Sequence, residues 1–342
     1  MYNTLTSIRT ATPGLENDKI DNNLLLRALA YALSDHVLYS TGKKQSVKRN
    51  AGTNKVQWRG YKPLPVADNR HIITEGVNPA GMKVAARTVE GTVAVYGAYL
   101  EVTRQVETYN LDKLLVEYGP LITNHAAETL ELVTRDAIEE DAGVYFVVDK
   151  GTTSPDKNKI KATNILTLDA CRLVANSMKV ARRRGHEKAG FKRYLVITSV
   201  EGMQDLLDDE KLEKKAMLPG NTNKPTMDNG LESYDVYNLR FIEYNYPVIE
   251  KNTGGVDVYH TYVFGENAYA VMELASAGIE MKRFGFEAKK GDNLGQIASI
   301  GWITMGYGAQ VLDPAAATVI YHAVSNPLPR PDDIYADQTS EE

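Results

Sequence analysis

The sequence predicts an α+β protein made of a body with projections, and three stretches carry that expectation. Arg87 to Thr103, RTVEGTVAVYGAYLEVT, keeps strand character throughout, with Val89, Gly91, Val93 and Val95 on one side and Ala94, Tyr96, Ala98 and Leu100 on the other. Its β-branched content and interior glycines suit a strand, which at the usual rise would reach about 50 Å. Pro120 to Asp141 keeps one apolar stripe at helical spacing, a helix of about 33 Å. Residues 165 to 285 run helix, strand, helix and then paired strands, the text of a compact α/β unit.

Composition sets the outer bounds. A chain of 342 residues exceeds the size at which one core keeps growing, so two packed units, or one body with extensions, are expected. Hydrophobic and charged fractions of 43% and 24% are those of an ordinary folded soluble protein. Lys and Arg number 39 against 44 Asp and Glu, and the net charge of -5 gives no general attraction to phosphate backbones. Cys171 is the single cysteine, which excludes disulfide frameworks and cysteine-ligated zinc. The first residues, MYNTLTSIRTATPG, lack a basic region followed by an apolar core, and no run approaches bilayer length, so neither secretion nor membrane insertion is expected. The 20 Tyr against 6 Phe and 2 Trp suit surfaces that become interfaces.

In chain order, residues 1 to 19 read as a loose arm. From Asp21, Leu25, Leu29, Ala32, Leu33 and then His36 or Val37 recur at helical spacing behind an Asp or Asn cap. TGKKQSVKRNAGTN reads as a basic linker, solvated or in contact with nucleic acid or a scaffold. KVQWRGYKPLP alternates Val56, Trp58 and Gly60 against Gln57, Arg59 and Tyr61, a strand closed by prolines. Turn text follows in VADNRHIITEGVNPAGMK, and the long strand returns from Arg87. Outgoing strand, wide tip and long return make a projecting hairpin, and a two-stranded ribbon alone in water is marginal until it lies on another surface.

Asn110 or Asp112 is placed to cap the next helix, and Gly119-Pro120 to kink or restart it. Its apolar stripe reads Leu121, Ile122, His125, Thr129, Leu132, Val133 and Ala137, with Glu128, Glu131, Arg135, Glu139 and Glu140 on the other face. GVYFVVDKG is a strand and TTSPDKNKIKATN a polar link. Thr167 caps LDACRLVANSMKVARRRG, whose stripe is Cys171, Val174, Ala175 and Met178, with a basic last turn and Gly185 as the stop. YLVIT is a buried strand, and Thr198 with Glu201 makes a capping-box signature for VEGMQDLLDDEKL. After the loop PGNTNKPTMDNG, SYDVYNLRFIEYNYP and VDVYHTYVFGENAYAVMELAS read as paired strands. GQIASIGWITMGYGAQVLDPAAATVIYHAV adds two more around Asp313-Pro314, and beyond Asn326 the chain is Pro-rich and then acidic.

No constellation of reacting groups emerges, so no catalytic residue, cofactor or metal site is expected. The turn after YLVIT, SVEGMQ, lacks the glycines that let backbone cradle a pyrophosphate. The six histidines, at 36, 71, 125, 186, 260 and 322, never stand at the i, i+4 spacing of paired ligands on one helix face. His125 reads as a hydrogen-bonded packing or interface residue and Cys171 as a packed thiol. Lys179 with Arg182, Arg183 and Arg184 is the one basic concentration, explained by a helix C-terminus or an anion site. An arm and a ribbon suit a protein whose partners are copies of itself, because each completes its burial on a neighbour.

The ordered segments VQWRGYKPLP, ITEGVNPAG, GTVAVYGAYLEVT, HAAETLELVTRDAI, YDVYNLRFIE, YVFGENAYAV and GQIASIGWITMGYGAQVLDPAAATVI span about residue 20 to residue 322. In that order they resemble the major capsid proteins of tailed bacteriophages, the family typified by the N4-like podoviruses. The resemblance implies the Hong Kong 97-like capsid fold, with an N-terminal arm (1–53), an extended hairpin loop (54–103), a peripheral domain with a long spine helix (104–164 and 286–326), an axial domain (165–285) and a tail (327–342). It also implies self-assembly into pentamers and hexamers, a virion location after assembly in the host bacterial cytoplasm, and no membrane partner. Scaffold, portal and decoration proteins would be partners, with double-stranded DNA enclosed by non-specific proximity. Interface candidates are Trp58, Arg59, Tyr61, Tyr96, Tyr99 and His125, with Gly91 and Gly97 expected to twist or bulge the long strand. A nanocompartment shell of encapsulin type, an α/β enzyme with an oligomerisation arm, and a nucleic-acid binder using the basic arm are the alternatives.

Overall fold

Ile297–Val311, IASIGWITMGYGAQV, is the strand around which the body is built. The computed structural model describes residues 36–47, 54–61, 81, 83–109, 114–190, 192–209, 226–228, 231–274, 279–287 and 293–329. The helix expected before His36, the hairpin tip, the cap at Asn110 or Asp112, most of the loop after Pro219 and the acidic end lie outside these residues. Along the chain run α1 (Val37–Thr41), β1 (Lys43–Val47), β2 (Lys55–Tyr61), β3 (Ala86–Thr92), β4 (Ala94–Thr103), α2 (Arg104–Tyr109), α3 (Leu114–Asp141) and β5 (Gly143–Phe146). They are followed by α4 (Leu168–Val180), β6 (Tyr194–Ser199), α5 (Val200–Leu207), β7 (Thr226–Asp228), β8 (Leu231–Val236), β9 (Leu239–Tyr244) and β10 (Ile249–Lys251). The last strands are β11 (Asp257–Phe264), β12 (Tyr269–Leu274), β13 (Ile279–Phe284), β14 (Ile297–Val311) and β15 (Ala317–His322).

Two sheets and a ribbon result. In the five-stranded sheet, one edge of β14 is antiparallel to β4. Its other edge pairs with β13 from Ser299 to Thr304 and with β12 from Tyr307 to Val311. β1 adds to the far side of β12 in parallel. The larger sheet runs β5-β15-β11-β6-β9-β8-β7, with β10 beside β11. β2 and β3 form the separate ribbon, with Trp58 opposite Val89.

α3 sits between the sheets. Ile122, Ala126 and Ala127 pack on Met281, Ile300 and Trp302 of the smaller sheet. Leu130 and Ile138 join Leu195, Ile197, Tyr262 and Val319 of the larger one. On that sheet's other face lie α4, through Cys171, Val174, Ala175 and Met178 as its spacing predicts, and α5, through Met203 and Leu206. β6 is therefore covered on both faces and buried at every residue, which is why YLVIT shows no polar alternation.

Several local expectations change. The basic linker is not a linker at Lys43–Val47, where it forms the edge strand β1. The long strand breaks at Val93: β3 serves the ribbon and β4 the body. The irregularity at this joint is not at Gly91 or Gly97. It lies in β14, which places one extra residue between Thr304 and Tyr307 opposite Tyr96 and Ala94. α3 does not restart at Pro120, which sits inside one continuous helix. Its buried stripe is Ile122, Ala126, Leu130, Thr134 and Ile138, leaving Leu121 and His125 exposed, and Glu131, expected on the solvent face, is fully buried. Ser199 rather than Thr198 caps α5, its Oγ accepting from the Gly202 N–H at 3.1 Å.

α4 does not run on to Gly185. It ends in paired bonds from the Arg182 and Arg183 N–H groups to the Lys179 and Met178 carbonyls, both 2.9 Å, the Schellman pattern, with Arg182 in the left-handed region at φ 57° where glycine is usual. Gly185 instead allows close approach: a Cβ there would collide with the Arg193 carbonyl oxygen. Sheet membership also cuts across the boundaries at 165 and 285. β5 and β15 belong to the larger sheet, β12 and β13 to the smaller.

Gly97 and Gly301 flank the cross-strand pair Ala98 and Trp302, and a Cβ on Gly301 would meet the Ala98 carbonyl oxygen at 2.7 Å. Gly301→Ala should therefore destabilise the fold by about 1–3 kcal/mol, read as a lower midpoint in urea unfolding with unchanged slope.

Candidate functional site

The six interface candidates divide into two groups. Trp58 stands on the inward side of the ribbon and packs with Val56 and Leu274 around Met272 and Val93 of its own body. A Cβ on Gly91 would touch both the Trp58 ring and the Met272 thioether, so the glycine lets ribbon and sheet close on each other. Tyr96 points under α3 into the core. His125, exposed beside the buried stripe, accepts the Trp302 indole N–H at its Nδ1, 3.2 Å away. Arg59, Tyr61 and Tyr99 remain exposed, the two tyrosines at 71% and 69%.

Tyr99 belongs to a larger feature. The sheet face turned away from α3 carries Val95, Gly97 and Tyr99 of β4, Gly301 and Ile303 of β14, and Lys282 and Phe284 of β13 around a trough of about 460 Å³. The two glycines lower its floor while Tyr99, Val95 and Phe284 leave apolar surface in water. That combination is typical of surfaces that another protein covers. A second cleft, of about 510 Å³, lies between the ribbon and the body and is lined by Arg59, Arg87 and the Arg182–Arg184 turn. There Asp313 holds Arg183 at 2.7 Å and Arg87 at 3.4 Å, tying the root of the ribbon to the turn after α4.

Behind these surfaces are buried polar networks. Both oxygens of Glu131 accept backbone N–H groups, of Leu38 and Tyr39, at 2.8 Å, so a carboxylate from α3 caps the first turn of α1. Tyr269 Oη donates to the Leu38 carbonyl at 2.7 Å, and Tyr39 Oη donates to Glu273 at 2.5 Å. Burial pushes the Glu131 carboxyl up to about 7, against the lowering effect of the N–H bonds. At the far end of α3, Glu139 Oε1 accepts from Tyr262 Oη at 2.6 Å and bonds His260 Nδ1 at 2.8 Å. His322 Nδ1 faces the Ala323 carbonyl, so its Nε2 accepts from the Thr261 hydroxyl, both at 2.8 Å. Burial lowers the His322 and His186 imidazoles to about 4 and raises the Cys171 thiol to about 12, which leaves all three uncharged at neutral pH. No group of three or more His, Cys, Asp or Glu that could hold a metal occurs among the described residues.

Sequence reading missed Glu131 and the ribbon-body cleft. Glu131 stands four residues after Ala127 and three before Thr134, on the buried stripe, so spacing alone could have marked it.

No family model and no curated protein matches the chain. Solved structures do match in fold. The capsid of Ralstonia phage GP4 superposes with a TM-score of 0.60 at 12% identity, covering 85% of this chain and 89% of that one. The cyanophage Pam1 capsid gives 0.61 at 8% identity, covering 85% and 93%. The holo-SrpI encapsulin complex from Synechococcus elongatus PCC 7942 gives 0.50 at 10% identity, covering 96% and 98%. The mixed α+β fold of this chain is thus one that phage capsid chains share.

The Glu131 carboxyl is raised in the fold, so between its ordinary value of 4.5 and about 7 the folded state holds a proton that the unfolded state has released. Its contribution therefore falls as pH rises through that window and is level above it. Relative to Glu131→Gln, the wild-type advantage in chemical unfolding should shrink by up to ~1.4 kcal/mol per pH unit from pH 4.5 to 7.

Proposed function

We propose that the chain is the major capsid protein of a tailed bacteriophage of the N4-like group, with a Hong Kong 97-type fold, closing as pentamers and hexamers into an icosahedral head around double-stranded DNA. The observation that carries this reading is one polypeptide path, β3 into β4, that is ribbon outside the body and sheet within it. The shared fold with phage capsids supports it. In this reading residues 54–103 are the extended loop, α3 is the spine of a peripheral domain, and the larger sheet with α4 and α5 forms most of the axial domain. The role is structural, and the net charge of -5 keeps packaged DNA from adhering to the wall. Scaffold, portal and decoration proteins are the further partners. The chain would assemble in the host bacterial cytoplasm and reside in the virion.

Subunit contact falls to Tyr61, Tyr99 and Arg59, since His125, although exposed, is held by the Trp302 indole. Trp58, Tyr96 and His125 contribute by holding ribbon and sheet in shape. An encapsulin-type nanocompartment is the second reading, favoured by the fold match that covers 96% of this chain.

Negative-stain electron microscopy of the purified protein at rising concentration should show closed shells or rings of five and six. A uniform small oligomer at every concentration would count against a chain that closes on its own, and shells filled with enzyme rather than nucleic acid would favour the nanocompartment. Tyr99→Ser should leave subunit stability within about 0.5 kcal/mol, since the side chain is exposed. It should nonetheless lower shell yield and heat resistance. Shells of Trp58→Ala and Arg59→Ala subunits that matched wild type in both respects would remove the ribbon root from the assembly mechanism.

A further inference from the structure

The cleft between ribbon and body concentrates positive charge from four separate segments. Lys43 comes from β1, Arg59 from β2, Arg87 from β3, and Arg182, Arg183 and Arg184 from the turn after α4. Two carboxylates, Glu266 and Asp313, share the lining, and Asp313 is committed to Arg183 and Arg87. Lys43, Arg59, Arg182 and Arg184 are exposed, and no ion pair joins any of them to a carboxylate among the described residues. With six cations against two carboxylates among the described lining residues, the like charges repel one another, and an arriving anion would relieve that repulsion.

The backbone carries a second mark. Arg182 at φ 57° and Asn267 at φ 52° both line the cleft, two of the four non-glycine residues in the left-handed region among the described residues. At Arg182 the helix ending calls for glycine. An arginine there bears backbone strain while it places a cation in the lining of the opening.

We propose that this cleft binds an acidic peptide, and that its occupant is residues 331–342 of this chain, PDDIYADQTSEE. That segment carries Asp332, Asp333, Asp337, Glu341 and Glu342 and no Lys or Arg, so its charge complements the four unneutralised cations. Arginine forks take carboxylates in bidentate pairs. The cleft has the volume of a small-ligand site, which admits an extended peptide but not a duplex. The net charge of -5 holds a free polyanion off, whereas a segment of the same chain arrives at high effective concentration. Neutralising the cleft would brace the ribbon root against the α4 turn. The proposal concerns the subunit itself and does not depend on shell formation.

The test is zero-length carbodiimide coupling of the full chain, read by mass spectrometry. Lys43 should couple to carboxylates of residues 332–342, well above the exposed control Lys150, and the yield should fall with added salt. Arg182→Gly with Arg184→Gln should cut that yield about tenfold. Arg182→Gly seats glycine at the left-handed position, so an unchanged melting curve would separate lost binding from lost folding. Coupling at Lys43 no greater than at Lys150, or undiminished in the double variant, would overturn the proposal. So would retention of a single-stranded oligonucleotide at physiological salt that requires Arg182 and Arg184 while Lys43 shows no link to the segment.

Discussion

Hydrogen bonding along both edges of β14 is the constraint on which the rest of the structure depends. A strand with partners on both sides has a fixed register, and that register fixes everything attached to its partners. Through β4 it sets where the ribbon leaves the body; through β12 it sets where β1, and with it the segment from His36, returns to the sheet. The extra residue between Thr304 and Tyr307 lies where the pairing passes from β13 to β12, so β14 serves two successive partners along one edge. Gly97 and Gly301 let the neighbouring backbones approach at the point where α3 crosses behind.

A second layer of order comes from polar groups inside. Burying a carboxylate is costly unless it is well bonded, and Glu131 gives both oxygens to the first turn of α1. The helix end and the carboxylate satisfy each other. α1 is only Val37–Thr41, too short to persist alone. Its position comes from Glu131, Tyr269 and the burial of Val37 and Leu38. Glu139 does the same for the other end of α3, gathering a histidine and a tyrosine from β11.

Periodicity made much of this readable in advance. The long strand, the α3 beam, the α4 stripe and the doubly buried β6 each impose a local repeat. What stayed hidden lacks a local signal. Lys43–Val47 becomes a strand only because β12 offers it an open edge, and KKQSV has no apolar alternation to announce that. Residue type points the stripe of α3 toward Leu121 and His125, as for a helix covered on a single face. The helix is covered by two sheets, so Thr134 and Glu131 fall inside. Aromatic residues on strands look alike in sequence whether they face a core or open water. Tyr96 and Tyr99 belong to the same strand, and only the location of α3 decides which is buried. Basic residues near a helix end likewise gave no hint that ribbon and turn would meet across a cleft.

The joint at Val93 has a mechanical meaning. Because β3 continues into β4 with a single residue between them, a pull on the ribbon along its axis acts on the β4–β14 pairing lengthwise. Inter-strand bonds in an antiparallel pair stand perpendicular to the strands, so such a pull shears the whole row at once instead of peeling it bond by bond. A hairpin attached by a loop would yield at its hinge. This one hands tension along the row of β4–β14 bonds into the five-stranded sheet, as a tendon set into bone does.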